Sequence, residues 1–453
     1  MRLPRFLITA AASGSGKTLI TCGILQLLKN RGYQVTSFKC GPDYIDPMFH
    51  SKVIGMKSRN LDPFFADRGT LRGLMEKNAQ GSDIAVVEGV MGYYDGLAGI
   101  SVKGSAWDVA DETDTPAVFL VNCKGMSLSV IPYLKGFLEY QRDSHIKGVI
   151  LNQLSPMMYE RLREQIEEEL PIKVCGYVPY VKDCTLESRH LGLVMPDEID
   201  DLRQNLMELA GILEKSLDVD ALLSIAGSAP EISGKELRPP AGAGDTVRIA
   251  LASDEAFCFF YEDNLQLLRE MGAELVPFSP IHDKALPADV CGLLLHGGYP
   301  ELFAGELSEN KGMRMQIRDA VLGGLPCMAE CGGFMYLHDR MQGHDGSCHD
   351  MAGVIEGTVY KTSRLRRFGY ITLSGGTVFG KDIGTLRSHE FHYYDSENCG
   401  DAFLAEKPLS DRSFRCLHST DTLFAGYPHM YYYSNIKLPE AFLATCMERK
   451  NRG

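Results

Sequence analysis

A short apolar run, RFLITA, leads through Ala11-Ala12-Ser13-Gly14-Ser15-Gly16-Lys17-Thr18 into a helical stretch, LITCGILQLLKNRG. This is a strand, a glycine-rich turn and a helix that starts on Lys and Thr. It matches G-x-x-x-x-G-K-[ST] except that Ala11 stands in place of the first glycine. The physical sense of such a turn is phosphate binding. Glycines let backbone N–H groups wrap the phosphates, Lys17 brings positive charge to them, Thr18 offers a hydroxyl to Mg²⁺, and the helix N-terminus favours an anion. Further β-like runs follow: YQVTSFKC, DIAVVEGV, PAVFLVNC, IKGVILN and KVCGYVPY, with helical stretches between them. That alternation predicts βαβ units and a mostly parallel sheet.

The composition then shifts. Residues 228–245, SAPEISGKELRPPAGAGD, are rich in Gly, Pro and Ser and have no apolar period, which predicts a linker between domains 1–227 and 246–453. A second α/β alternation begins after it, with strands in VRIALAS, AELVPFS, DVCGLLLHGG and PCMAEC and helices in NLQLLREMG and FMYLHD. The fold class expected is α/β throughout, a P-loop parallel-sheet domain followed by a second α/β domain.

Acidic residues cluster where the first sheet would bind ligands. Glu88 ends the buried run DIAVVE, where a P-loop sheet places a second Mg²⁺ ligand. Asp43 and Asp46 in GPDYIDP, and Asp95 in GVMGYYDG, follow strand ends, the side on which open α/β sheets bind ligands. Asp beside Gly or Pro is also ordinary turn chemistry, so it is the clustering with the P-loop that points to metal and substrate. In the second half, Ala329-Glu330-Cys331-Gly332-Gly333 lies between the apolar run PCMA and the expected helix FMYLHD. A nucleophile on a strand-to-helix turn needs small neighbours, and Gly332 and Gly333 supply them. The helix behind Cys331 is expected to lower its pKa. Cys327 is read as core. The turn Gly297-Gly298-Tyr299-Pro300 offers backbone N–H groups for an oxyanion hole. His389, His392 and His429 are the candidate bases.

Bulk properties limit the partners. The net charge of −13 argues against nucleic acid or an anionic membrane surface, and no run reaches the roughly 18–20 apolar residues of a membrane helix. Thirteen cysteines without C-x-x-C spacing describe neither a disulfide framework nor a zinc site and suit a reducing cytoplasm. The N-terminal MRLPRFLITAAAS has features of a signal peptide, but a cleavage there would cut into the phosphate-binding turn.

The segments ASGSGKT, KCGPDYIDPMFH, VVEGVMGYYDG, SRHLGLV, DEAFCFFYEDNL, LHGGYPEL, AECGGFMYL and SHEFHYYD together resemble the cobyrinic acid a,c-diamide synthase family along nearly the whole chain. GPDYIDP and GGYPEL carry most of the specificity. The resemblance implies a first domain similar to dethiobiotin synthetase and a second that looks like a class I glutamine amidotransferase. It implies that Ser13, Gly14, Ser15, Gly16, Lys17 and Thr18 bind ATP and Mg²⁺, with Glu88 and Asp46 as further metal ligands. It also implies that Asp43 and Asp95 help hold metal, ATP or substrate, and that Asn152 reads adenine. Cys331 would be the nucleophile, His429 its base and Gly297-Gly298 the oxyanion turn. The implied substrates are a tetrapyrrole polyacid, glutamine and ATP, and a homo-oligomer is compatible with the pattern. Three departures stand out: Ala11 in the P-loop, Tyr431 where related domains carry the third acid of a Cys-His-Glu triad, and the aromatic character of GYPHMYYYSN around His429. Rival substrates with the same chemistry are hydrogenobyrinic acid, a sirohydrochlorin, or the acid of the later cobyric acid synthase step. A rival of another class is a partner-binding P-loop ATPase switch, which would carry a lysine where this chain has Ala12. The basic run KTSRLRRFGY, with Lys361, Arg364, Arg366 and Arg367, is a candidate surface for the polyacid, since the arginine fork suits carboxylates.

Overall fold

A computed structural model describes residues 1–181, 196–239 and 246–452, with the backbone alone for 196–200. The segment SRHLGLV and residues 240–245 of the glycine-rich segment lie outside these. The chain divides into two compact units, Met1–Leu237 and Arg238–Gly453.

The first unit is built on seven strands: β1 (Arg5–Ala10), β2 (Val35–Cys40), β3 (Ser58–Leu61), β4 (Ile84–Glu88), β5 (Ala117–Asn122), β6 (Ile146–Asn152) and β7 (Lys173–Val178). They lie in the order β3-β2-β4-β1-β5-β6-β7, and every pair is parallel. A parallel sheet covered on both faces needs runs of apolar residues rather than alternation. β1 and β4 meet that demand, each buried at every position. The order reverses at β1, whose next strand in sequence lies to one side while β5 lies to the other. The turn after β1 therefore opens into a crevice at the carboxyl ends of the strands, flanked by the loops after β2 and β4. β3 escaped the sequence reading because SRNL is a four-residue edge strand without an apolar pattern.

Helix α1 (Lys17–Asn30) packs against the helix Pro196–Ser216. A side chain on Gly23 would collide with Leu213 and Leu209, at 2.6 and 2.8 Å. GPDYIDP does not end as an open turn. Its last residues begin α2 (Ile45–Phe49), which places Asp46 in a first helical turn.

The boundary 228–245 needs correction. Residues 228–237 belong to the first unit as an extended strap. Ile232 is fully buried and donates its N–H to Met1, Lys235 donates to the Gly69 carbonyl, and Pro230 accepts from the buried Arg5 guanidinium. Gly234 lies so close to Gly73 that a Cβ would sit 1.9 Å from its nitrogen. Gly, Pro and Ser mark the lack of a regular period, not the lack of packing.

The second unit has a central six-stranded sheet. Its core strands are β8 (Val247–Ala252), β9 (Ala273–Phe278), β10 (Gly292–Leu295) and β11 (Cys327–Glu330), with Leu423–Gly426 parallel to β11. Two smaller sheets accompany it, a mixed one of four strands and an antiparallel one of five. The antiparallel sheet pairs Arg367–Ser374 with Leu386–His392, and the latter with His429–Met430. The segment FMYLHD is not one helix: Gly332–Tyr336 is helical and His338 starts a strand.

Candidate active sites

In the first unit the phosphate-binding turn has the backbone its glycines allow. Gly14 and Gly16 have φ of 75° and 89°, and Gly16 is the N-cap of α1. A Cβ on Gly16 would press on Asn152 Nδ2 at 3.1 Å, and that nitrogen donates to the Ser15 carbonyl at 3.1 Å. Asn152 is thus a brace of the turn. Ser13 and Ser15 lie on the turn, and the Ser15 hydroxyl donates to the Ala12 carbonyl. Lys17 Nζ reaches across the mouth to the carbonyls of Met91 (2.6 Å) and Ala12 (2.9 Å). Burial, helped by Lys39, lowers its pKa to about 8 against the pull of Glu88, Asp46 and Asp95.

Behind Lys17 the oxygens converge. Thr18 Oγ1 donates to Glu88 Oε1 at 2.6 Å and lies 3.4 Å from Asp46 Oδ2. Lys39, which sequence reasoning missed, binds this group together. Its Nζ pairs with Glu88 Oε1 at 2.8 Å and with Asp46, and stands 4.0 Å from Asp43. His50, also missed, places Nε2 3.1 Å from the other Glu88 oxygen, while its Nδ1 meets the Ser37 hydroxyl at 3.1 Å. The sequence signal for both is weak: a lone lysine in VTSFKC and a histidine after DPMF. Burial opposes the Glu88 charge, but Lys39 and His50 outweigh it and hold its pKa below the carboxylate range. Burial and Glu88 push Asp46 above that range, with Lys39 opposing. Asp95 stands apart: it is exposed and accepts the Gly92 N–H at 3.0 Å. Among the described residues no three His, Cys, Asp or Glu side chains form a metal site by themselves. Thr18, Asp46 and Glu88 fit the Mg²⁺ pattern of one or two carboxylates completed by phosphate oxygens.

The two carboxylates should respond differently to neutralisation. Glu88 is fully buried and holds Lys39, His50 and Thr18, so Glu88→Gln should cost on the order of 3 kcal/mol and lower the melting temperature. Asp46 shares Lys39 with Glu88 and is less deeply buried, so Asp46→Asn should lower the melting temperature less than Glu88→Gln does. Both should lower synthesis by roughly 10²-fold, the scale for removing a preorganised charge from an active site. Thermal unfolding beside a rate assay separates the cases. An active Asp46→Asn enzyme would contradict the assignment.

In the second unit Cys331 follows β11 with φ 46° and ψ −104°, a strained conformation for a residue with a side chain and the mark of a nucleophile turn. The turn has no room for Cβ atoms after it. One on Gly333 would lie 2.0 Å from the Leu295 carbonyl oxygen, and one on Gly332 would lie 2.9 Å from Pro300 Cδ and 3.1 Å from the Gly298 nitrogen. Gly298 thus lines the nucleophile turn. A Cβ on Gly297 would strike His429 Cε1 at 2.6 Å, so the same Gly-Gly pair borders the candidate base. His429 is buried and stacks on His389, ring centroids 5.0 Å apart. His392 instead stacks on Tyr427 at 3.9 Å and is tied to the Tyr394 carbonyl.

The expected lowering of the Cys331 pKa does not occur. Burial pushes the thiol up, Glu301 and Glu390 add to the rise, and the Gly332 N–H opposes it. A five-residue helix supplies too little positive potential to overcome the loss of water. The resting group is a thiol, and its ionisation needs a base.

Two family models match the chain. The CobQ/CobB/MinD/ParA nucleotide binding domain covers residues 6–194, and the CobB/CobQ-like glutamine amidotransferase domain covers 248–435. The cobyrinate a,c-diamide synthase of Caldanaerobacter subterraneus subsp. tengcongensis is 38% identical over 97% of this chain and 98% of its own length. That of Priestia megaterium is 35% identical over 98% of both, and that of Salmonella typhimurium 37% identical over 97% of both. The chain belongs to the cobyrinate a,c-diamide synthase family.

As in the family, a nucleotide-binding domain precedes a glutamine amidotransferase domain. No helix among the described residues is long and apolar enough to cross a membrane, and the described cysteines are all free thiols. The structure splits the basic run. Arg366 pairs with Asp395 at 3.0 Å and Arg367 lies over the Phe414 ring at 4.3 Å, while Lys361 and Arg364 are exposed. Two of the four therefore have local partners.

Proposed function

We propose that this chain uses ATP and glutamine to amidate the a and c carboxylates of cobyrinic acid in cobalamin biosynthesis. The observation that carries the reading is near-full-length similarity to named cobyrinate a,c-diamide synthases, in a chain that keeps both a phosphate-binding turn and a nucleophile turn. A carboxylate is a poor electrophile at neutral pH, so the substrate carboxylate takes the γ-phosphoryl group of ATP to give an acyl phosphate and ADP. Ser13 to Gly16 cradle the phosphates, Lys17 leaves its carbonyl partners for them, and the buried Lys39 balances the carboxylates nearby. Mg²⁺, held by Thr18, Asp46 and Glu88 with phosphate oxygens, would neutralise phosphate charge.

Ammonia comes from glutamine. The Cys331 sulfur attacks the amide carbon of glutamine as His429 takes the thiol proton. The developing oxyanion meets the Gly297-Gly298 turn. The proton passes to the leaving nitrogen, ammonia departs, and water hydrolyses the glutamyl thioester to glutamate. Ammonia then displaces phosphate from the acyl phosphate. A cytoplasmic setting suits the unpaired cysteines. The acyl phosphate has its own test: with heavy oxygen in the substrate carboxylates, one labelled oxygen should appear in each phosphate released. Unlabelled phosphate would rule that intermediate out.

A further inference from the structure

The nucleophile end of the second unit buries an acid that the mechanism above does not use. Glu330, the residue before Cys331, is 4% exposed. Its Oε2 accepts the Met430 N–H at 3.3 Å and lies 3.8 Å from His429 Nδ1, and among the described residues its Oε1 has no hydrogen-bond partner. The rest of β11, Cys327, Met328 and Ala329, is buried and apolar or nearly so. A carboxylate here costs desolvation that an apolar residue would avoid, so its charge needs a use. The usual acid is missing: Tyr431 stands two residues after His429, and its hydroxyl donates to Asp263 at 3.2 Å, with its ring edge-on to Tyr261.

We propose that Glu330 is the positioning acid of His429, supplied from the residue before the nucleophile instead of from the residue two after the base. The proposal rests on the glutaminase reading above. Glu330 holds the imidazole with Nδ1–H toward Oε2, which leaves Nε2 as the nitrogen that takes the Cys331 proton and then delivers it to the departing ammonia. Glu330 itself neither gains nor loses a proton; it stabilises the imidazolium that forms between those steps. The geometry gives it a short lever, because one backbone step ties the acid to the nucleophile and the Met430 N–H ties it to the neighbour of the base. Geometry places the His429 ring beside it, with Nδ1 3.8 Å from Oε2. His296, at the end of β10, and His389, on Leu386–His392, are buried and their pKa values are lowered, so both are neutral near pH 7. Also near it are the Tyr432 phenol, kept protonated by burial, and the Cys331 thiol, on which Glu301 and Glu390 act as well.

The test uses the full chain. Glutamate release is measured across pH for wild type, Glu330→Gln and Glu330→Asp, beside synthesis driven by ammonium salts. Glu330→Gln should lower kcat for glutamate release on the order of 10- to 10²-fold. That is less than the ~10⁴-fold cost of losing the acid of a serine-hydrolase triad, because 3.8 Å is longer than a hydrogen bond. The KM for glutamine and ammonium-driven synthesis should be retained. The acid limb of the kcat/KM profile should move to lower pH, since an imidazolium without its carboxylate loses its proton more readily. Glu330→Asp, which keeps the charge, should recover part of the rate. A Glu330→Gln enzyme with wild-type kcat and an unmoved pH profile would overturn the proposal. So would a loss of kcat that Glu330→Asp shares in full and that comes with lost ammonium-driven synthesis, since that marks a packing role. A wild-type chain that releases no glutamate would instead contradict the glutaminase reading itself.

Discussion

Replacing Lys17 with Ala is expected to abolish amide formation from glutamine and from ammonium alike. In the proposed mechanism both nitrogen sources act after the carboxylate has been activated, and activation needs the phosphates of ATP held at the N-terminus of α1. Lys17 already sits at the mouth of the turn, almost out of solvent, and exchanges its two carbonyl partners there for the phosphates. Losing one such preorganised cation costs on the order of 10²- to 10³-fold. The alanine variant should keep its fold, because the lysine makes no ion pair with the buried acids: Lys39 does that. Glutamate release should persist, which separates a lost ATP site from a lost protein. Near wild-type synthesis in this variant would mean the turn does not bind the nucleotide that reacts.

Replacing Cys331 with Ser is expected to do the reverse. Glutamine-dependent synthesis and glutamate release should fall at least on the order of 10³-fold, because the nucleophile and its base act as a unit. Synthesis with ammonium salts should remain, since dissolved ammonia bypasses the thiol. The substitution is nearly isosteric in a turn where Cys331 already bears the strained φ and where Gly332 and Gly333 carry the close approaches. Retained glutamine-driven synthesis would sink the nucleophile assignment.

Much of this was legible in the sequence because the chemistry needs residues that are scarce elsewhere. Gly14 and Gly16 have positive φ, a Cβ on Gly333 would meet backbone at 2.0 Å and one on Gly332 would meet the Pro300 ring at 2.9 Å, and both turns are visible as glycine runs between a strand and a helix. Buried parallel strands were equally plain, because continuous apolar runs such as IAVVE have no other economical use. What stayed hidden depends on partners far apart in the chain. Lys39 in VTSFKC looks like a solvated charge until Glu88, forty-nine positions away, is seen beside it. Glu330 looks like part of the nucleophile motif until His429 is placed 3.8 Å from it. The strap 228–237 was misread because Ile232 is a lone buried anchor with no period around it. The thiol pKa was misjudged because helix position is local, whereas burial and the charges of Glu301 and Glu390 are set by tertiary structure.

Glutamine- and ATP-dependent amidation of cobyrinic acid should occur at two positions. Mass spectrometry of a time course with cobyrinic acid, glutamine, ATP and Mg²⁺ tests it most directly. Two carboxylates served by one phosphate site must react in turn, so a monoamide should rise first and then decline as the diamide accumulates, with one ADP formed for each amide. No amide from cobyrinic acid, while a sirohydrochlorin or hydrogenobyrinic acid is amidated under the same conditions, would contradict the substrate and leave the chemistry standing.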